Sequence, residues 1–188
     1  MLTENLSLES SSFTLPKDIK WHFIGHLQTN KAKFISPFIS LIHSVDSLKL
    51  LTELNKYAEH LDNKDYLNKQ IKSEIKKIDC LLEFHISKDT TKFGLTEQKA
   101  VEILSSPDFT YLKNIRVCGV MGMATYTDNE NVIRKQFTLL KTIFDNLKHS
   151  FFADNNHFSE ISMGMSGDYN IAIEEGSTLI RIGSSIFS

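Results

Sequence analysis

Apolar residues fall into two kinds of run that alternate along the chain. Six short stretches are apolar almost throughout and read as strands: Trp21-His-Phe-Ile24, Ile39 to His43, Cys80 to Ile86, Ile115 to Met121, Ile161 to Met163 and Thr178 to Ile182. Between most of them lie longer segments with apolar residues at helical spacing. Leu48, Leu51, Leu54, Ala58 and Leu61 form one stripe, with Asp46 or Ser47 able to cap its start. Val132, Ile133, Phe137, Leu140, Ile143, Phe144 and Leu147 form the longest one, after Asp128. Thr96 to Leu104 predicts a shorter helix. A polar helix is expected from Gly25 through Lys31 and Lys33, stopping near Ser36-Pro37. In the lysine- and acid-rich segment from Asp62 to Lys77, Leu67, Ile71, Ile75 and Ile78 lie three or four apart, which predicts an extra amphipathic helix with a solvated charged face.

Strands separated by helices pair in parallel through right-handed crossovers, so the fold class is α/β. Strands that are apolar on both faces are covered on both faces, as in a barrel or a doubly wound open sheet, and the pattern is compatible with either. No dinucleotide-binding or P-loop glycine motif occurs.

With 188 residues, 41% hydrophobic and 23% charged, the chain suits one globular domain, expected over residues 15–188 after a loose lead-in at 1–14. A net charge of −2 supplies no basic field for nucleic acid. No apolar run approaches the roughly 20 residues of a membrane span, and Met1 to Ser12 lacks the features of a secretory signal, so a cytoplasmic location is expected. Cys80 and Cys118 sit far apart in apolar runs and read as buried reduced thiols. His22 and His26 flank what reads as a strand and turn rather than a helix, so they are not expected to converge on a metal.

The densest chemical signal is Ser162-Met-Gly-Met-Ser166-Gly-Asp168 followed by Glu175-Gly-Ser-Thr-Leu-Ile-Arg181-Ile-Gly183. It reads as strand, brief helix and strand, with Asp168 as the helix cap and Gly176 as its end. Gly164 and Gly183, with Ser166 and Ser184 beside them, leave backbone N–H groups and hydroxyls open to an anionic oxygen. The plainer alternative is that these glycines only make turns.

Several segments together resemble the YggS/PROSC-type family of pyridoxal-phosphate homeostasis proteins, which have an alanine-racemase-like TIM-barrel fold. The matching runs are Trp21 to Lys31, Ile42 to Asp46, Thr91-Lys-Phe-Gly94, Cys118 to Met123, Ser162 to Ser166 and Gly176 to Gly183, ending in Ile186-Phe187. They stand in family order from about Leu15 onward. The resemblance implies a barrel that binds pyridoxal 5′-phosphate at the C-terminal ends of its strands, in a protein that buffers and delivers the cofactor without turning over a substrate. It places Ser162, Met163, Gly164, Ser166, Arg181 and Gly183 around the phosphate, with Arg181 alternatively reaching the ring. His22 and Asn30 are either cavity residues or structural support.

The family pattern opens with a Val-Ser-Lys-Thr-like strand, whose lysine forms the Schiff base, and a Phe-Gly-Glu-Asn-like strand; neither motif precedes Trp21. Lys17, Lys20, Lys31 and Lys92 do not match that lysine, so no residue is assigned a catalytic role. The expectation is an N-terminally incomplete family member with non-covalent or impaired cofactor binding. Its opened barrel would leave two unpaired strand edges able to drive self-association. Two other functions fit the same residues. One is an interaction-only or non-functional fragment, and the other is a racemase or decarboxylase using the same cofactor, which needs positioned acid and base groups; Tyr126 and Tyr169 lie in apparent loops and read as ordinary surface residues.

Overall fold

The computed structural model describes residues 18–68, 77–87 and 93–187. Six strands, β1 (Trp21–Phe23), β2 (Ile39–Val45), β3 (Ile78–Phe84), β4 (Ile115–Gly122), β5 (Glu160–Met165) and β6 (Leu179–Arg181), form one sheet in which every neighbouring pair is parallel. The strand order is the sequence order, β1-β2-β3-β4-β5-β6. A doubly wound sheet reverses direction at a switch point. This one never does: each crossover advances one place the same way, the progression of a (β/α) barrel, and the sheet makes a half-barrel with its helices outside.

The helices are α1 (Ala32–Ile35), α2 (Leu48–Asn68), α3 (Glu97–Leu104), α4 (Pro107–Thr110), α5 (Glu130–Phe151), α6 (Tyr169–Glu174) and α7 (Ser184–Phe187). Side-chain hydrogen bonds mark several starts: Ser47 accepts from the Leu50 N–H, Thr96 from Lys99, and Asn129 from Asn131 and Val132. The helix expected after Gly25 is shorter and later than its polar pattern suggests. The Gly25 carbonyl accepts from Ser44 and Leu27 is buried in the core, which ties down residues 25–28 until a 3₁₀ turn at Thr29–Lys31 opens α1. α4, with Pro107 in its first turn and Ser106 as its cap, is a single turn, too short for periodicity to reveal. Leu67 extends α2 rather than starting a new helix. Ile71 and Ile75, residues 1–14, Lys17, Thr91 and Lys92 lie outside the described residues.

Strand alternation divides the apolar residues between two faces. Ile42, Cys80, Leu82, Phe84, Val117, Val120, Ile161 and Met163 pack outward against Leu51, Leu54, Phe137 and Leu140 of the helices in one large core. Leu41, Leu81, Cys118 and Met121 form a smaller cluster, joined by Leu179, on the concave face. The register shift between Cys80 and Leu81 leaves Cys118 as an extra residue on β4, and Gly119 next to it lies so close to β5 that an added Cβ would be 1.8 Å from the Glu160 carbonyl oxygen. Both cysteines are free and buried; burial raises both thiols, Cys118 to about 11.

Candidate functional site

Each of β2, β5 and β6 places a polar side chain on the concave face. Two residues after Leu41 stands His43, between Ile161 and Met163 stands Ser162, and two residues after Leu179 stands Arg181. They meet. The His43 Nδ1 lies 2.8 Å from the Ser162 hydroxyl, and the Arg181 Nη1 donates to that hydroxyl at 2.6 Å. His43 Nε2 continues to His22 Nδ1 at 3.1 Å, and Arg181 Nη2 donates to the Gly122 carbonyl at 3.2 Å. One network thus joins β1, β2, β4, β5 and β6.

Chemistry gives this network a direction. A guanidinium only donates, so Ser162 accepts from Arg181. The serine O–H then donates to His43 Nδ1, and the His43 Nε2–H donates to His22 Nδ1. This direction requires a neutral His43. Burial, reinforced by His22 and Arg181, pulls that imidazole down to about 3. His22 is also lowered, by burial and then by Lys20. Burial lowers Arg181 from its ordinary range while the fields of Asp168 and Glu83 oppose the shift.

Just beyond β5 and β6, two loops share a corner. The Ser166 hydroxyl oxygen receives the backbone N–H of Gly183 at 3.3 Å and that of Ser185 at 3.4 Å. Both bonds are long. The Met165 N–H is more firmly held, by Asp168 Oδ1 at 2.6 Å. Asp168 therefore braces the loop and makes no side-chain cap on α6, the role its place in the sequence suggests. Gly164, at φ +93°, lets the chain turn against α6: an added Cβ would meet the Ala172 Cβ at 2.6 Å. At Gly183 an added Cβ would meet nothing within 4 Å, so that side of the corner is open.

The sequence-predicted residues thus separate into two groups. Ser162, Arg181, Ser166 and Gly183 line the concave face and its corner. Met163 is buried in the helix-side core, with its carbonyl accepting from Ser177, and Gly164 is packed against α6. Asn30 and Lys31 are exposed in the 3₁₀ turn and Lys20 is exposed just before β1, while Tyr126 is fully exposed and Tyr169 opens α6 rather than lying in a loop. Among the described residues no group of three or more His, Cys, Asp or Glu side chains is arranged to hold a metal ion. A surface hollow of about 630 Å³ is lined by Ser150 to His157 ahead of β5, at the opposite end of the strands from the corner.

Two polar residues of the concave face escape the sequence reading. One is His43. The other is Glu83, which follows Leu81 on β3 by two places and is 5% exposed; burial and the field of Asp46 push its carboxyl up to about 7 against the pull of Arg181. Each interrupts an otherwise apolar strand, and that interruption is the available signal. The donors of the corner suit a phosphate monoester: two N–H groups held only by long bonds and the Ser166 hydroxyl beside an open backbone, with the Arg181 guanidinium on the adjoining strand.

Among known proteins, the pyridoxal phosphate homeostasis protein of Aquifex aeolicus is 35% identical to this chain over 171 residues, 90% of this chain and 67% of that protein. The chain belongs to the pyridoxal phosphate homeostasis protein family. The Helicobacter pylori relative is likewise 35% identical over 90% of this chain, so the chain spans about two thirds of the length of these family members. Among solved structures, PipY of Synechococcus elongatus superposes with a TM-score of 0.77 without PLP and 0.76 with PLP bound, at 27% and 28% identity, covering 73% and 72% of the PipY chain. Alanine racemase of Clostridium difficile, 15% identical with a TM-score of 0.62, shares the fold. No protein-family model matches the chain. Among the described residues no helix is long and apolar enough to cross a membrane.

Proposed function

We propose that this chain binds pyridoxal 5′-phosphate on the concave face of its half-barrel and serves vitamin B6 homeostasis, holding the cofactor without turning over a substrate. The observation that carries the reading is the corner after β5 and β6, where the Ser166 hydroxyl and the Gly183 and Ser185 amides meet beside the Ser162–Arg181 pair. Relatives with the family name, and a PLP-bound neighbour of the same fold, support it. Phosphate after the last two strands is also the general habit of such barrels.

In this reading Gly183, Ser185 and Ser166 take the phosphate oxygens. Arg181 supplies positive charge, either to the phosphate or toward the ring, and Ser162 with His43 keeps its guanidinium aimed. A neutral His43 fills its place without adding a second positive charge. When bound, the cofactor supplies an electrophilic aldehyde on an electron-withdrawing ring. The residues of the corner and the concave face bind and orient it; none of them is assigned a proton transfer.

Residues 15–188 act as one partial-barrel unit in the cytoplasm, with the small molecule as ligand and nucleic acid not a partner. β1 and β6 have no further strand beside them among the described residues, and Trp21, Ile24 and Phe38 are about half exposed near β1. Self-association through these edges follows. Equilibrium titration with pyridoxal 5′-phosphate tests the function: saturable binding that inorganic phosphate competes away is expected, and no binding would overturn it.

A further inference from the structure

Three side-chain atoms among the described residues are buried without a hydrogen-bond partner: Glu83 Oε2, His85 Nε2 and Ser87 Oγ. All three residues line the same small cavity, about 10 Å³, together with Phe84, Ile86, Phe93 and Met123. Orphaned buried polar atoms are uncommon, and three around one hollow call for a shared cause. Residues 83, 85 and 87 follow one another at the end of β3 and in the segment just after it.

The walls are built so that they do not collapse inward. The chain returning to α3 runs beside the end of β3: Leu95 N–H donates to the Glu83 carbonyl at 2.7 Å, and His85 N–H donates to the Leu95 carbonyl at 3.1 Å. Gly94 makes this approach possible, since an added Cβ there would be 2.6 Å from the His85 nitrogen. The same return carries Phe93 to the cavity, where its outer side stacks on His26 at 3.9 Å between ring centroids.

We infer that this cavity is a binding site for a single buried water molecule, which joins Glu83, His85 and Ser87 into one hydrogen-bonded unit. The volume is at the lower limit for one water and excludes anything larger. The donor set fits. A buried water makes about three hydrogen bonds, and a carboxyl, an imidazole and a hydroxyl offer it acceptors and donors together. Potassium would need a shell of oxygens these residues do not supply. Because the three atoms are sealed from solvent, this water is trapped, admitted by small side-chain shifts, and exchanges slowly with bulk. It anchors Glu83 on the face that also carries Arg181. The inference does not rest on the cofactor reading, since no ligand contact enters it.

Oxygen-17 magnetic relaxation dispersion on the full chain counts long-lived waters and tests the proposal. The wild type is expected to hold one more than Ser87→Val, whose added methyl groups occupy the hollow; equal counts would overturn it. Ser87→Ala, Glu83→Gln and the double variant, compared by Tm, give a second reading that survives if Ser87→Val fails to fold. Shifts that are clearly non-additive are expected, and additive shifts would mean no shared occupant. A crystal structure ordering the solvent should show one peak within hydrogen-bonding distance of all three side chains. A dry cavity closed by a direct Glu83–His85 bond, or a peak that scatters as a heavier ion, would refute the assignment.

Discussion

His43 on β2 and Ser162 on β5 lie 119 residues apart in sequence and 2.8 Å apart across the hollow of the half-barrel. Because Arg181 shares the same hydroxyl, Ser162 is the point where the first half of the sheet and the ligand corner are tied together. Removing it leaves a buried imidazole nitrogen and a guanidinium N–H unpaired.

Ser162→Ala is therefore expected to lower stability by about 1–3 kcal/mol, the cost of buried polar groups left unsatisfied, read as a lower urea midpoint. Arg181→Met should weaken pyridoxal 5′-phosphate binding by about 10- to 100-fold, the loss of hydrogen bonds from a charged donor. Unchanged affinity in the arginine variant would place the anion elsewhere.

Stability should respond to pH through two groups of opposite sign. His43 has an ordinary value of 6.5 and is lowered to about 3 in the fold, so the unfolded chain takes up a proton that the folded chain refuses, and stability falls as pH drops below 6.5. Glu83 has an ordinary value of 4.5 and is raised to about 7, so its contribution is present below 4.5 and is lost as pH rises through 7. Between 4.5 and 6.5 the slopes oppose each other. Denaturant melts across that window should show Glu83→Gln gaining stability with rising pH relative to wild type, and His43→Gln losing it, each by up to about 1.4 kcal/mol per pH unit. Parallel pH profiles for all three proteins would contradict the burial of both groups.

Gly164, packed against α6, and Gly183, at the open side of the corner, should behave differently. Gly164→Ala puts a Cβ 2.6 Å from that of Ala172 at φ +93°, and is expected to cost about 1–3 kcal/mol by overpacking and strain. Gly183→Ala meets no atom within 4 Å, so its melting curve should stay within about 0.5 kcal/mol of wild type. If the Gly183 amide takes a phosphate oxygen as proposed, the added methyl group should hinder that approach and affinity should drop about tenfold, one hydrogen bond's worth. A Gly183 variant that binds normally would move the phosphate off this corner.

Light scattering should report a mass that rises with concentration, because both outer strands lack a neighbour among the described residues. Trp21→Lys, placed on β1 where the indole is 45% exposed, should shift the protein toward monomer, since a charged edge resists strand addition. A mass unaffected by concentration in the wild type would rule out edge pairing.

Much of this is legible in the chain itself. Periodicity locates all six strands and the long helices, because burial against a sheet imposes spacings of two and of three to four directly on the residues. The family motifs mark Ser162, Ser166, Arg181 and Gly183, which fall on two adjacent strands, β5 and β6, or just after them. Local composition also marks Ser47 as able to cap α2, which the structure shows. The barrel was implied by the family motifs and not by periodicity; what only tertiary structure decided was what depends on chain segments far apart meeting: that Met163 turns toward the helices while Ser162 turns inward, and that His43 and Glu83 join the concave face. Curvature and strand order are properties of how crossovers pack, to which each strand contributes the same apolar pattern in either architecture. A lone histidine in Ile39–Val45 acquires its meaning when the sheet bends far enough to bring β5 opposite it.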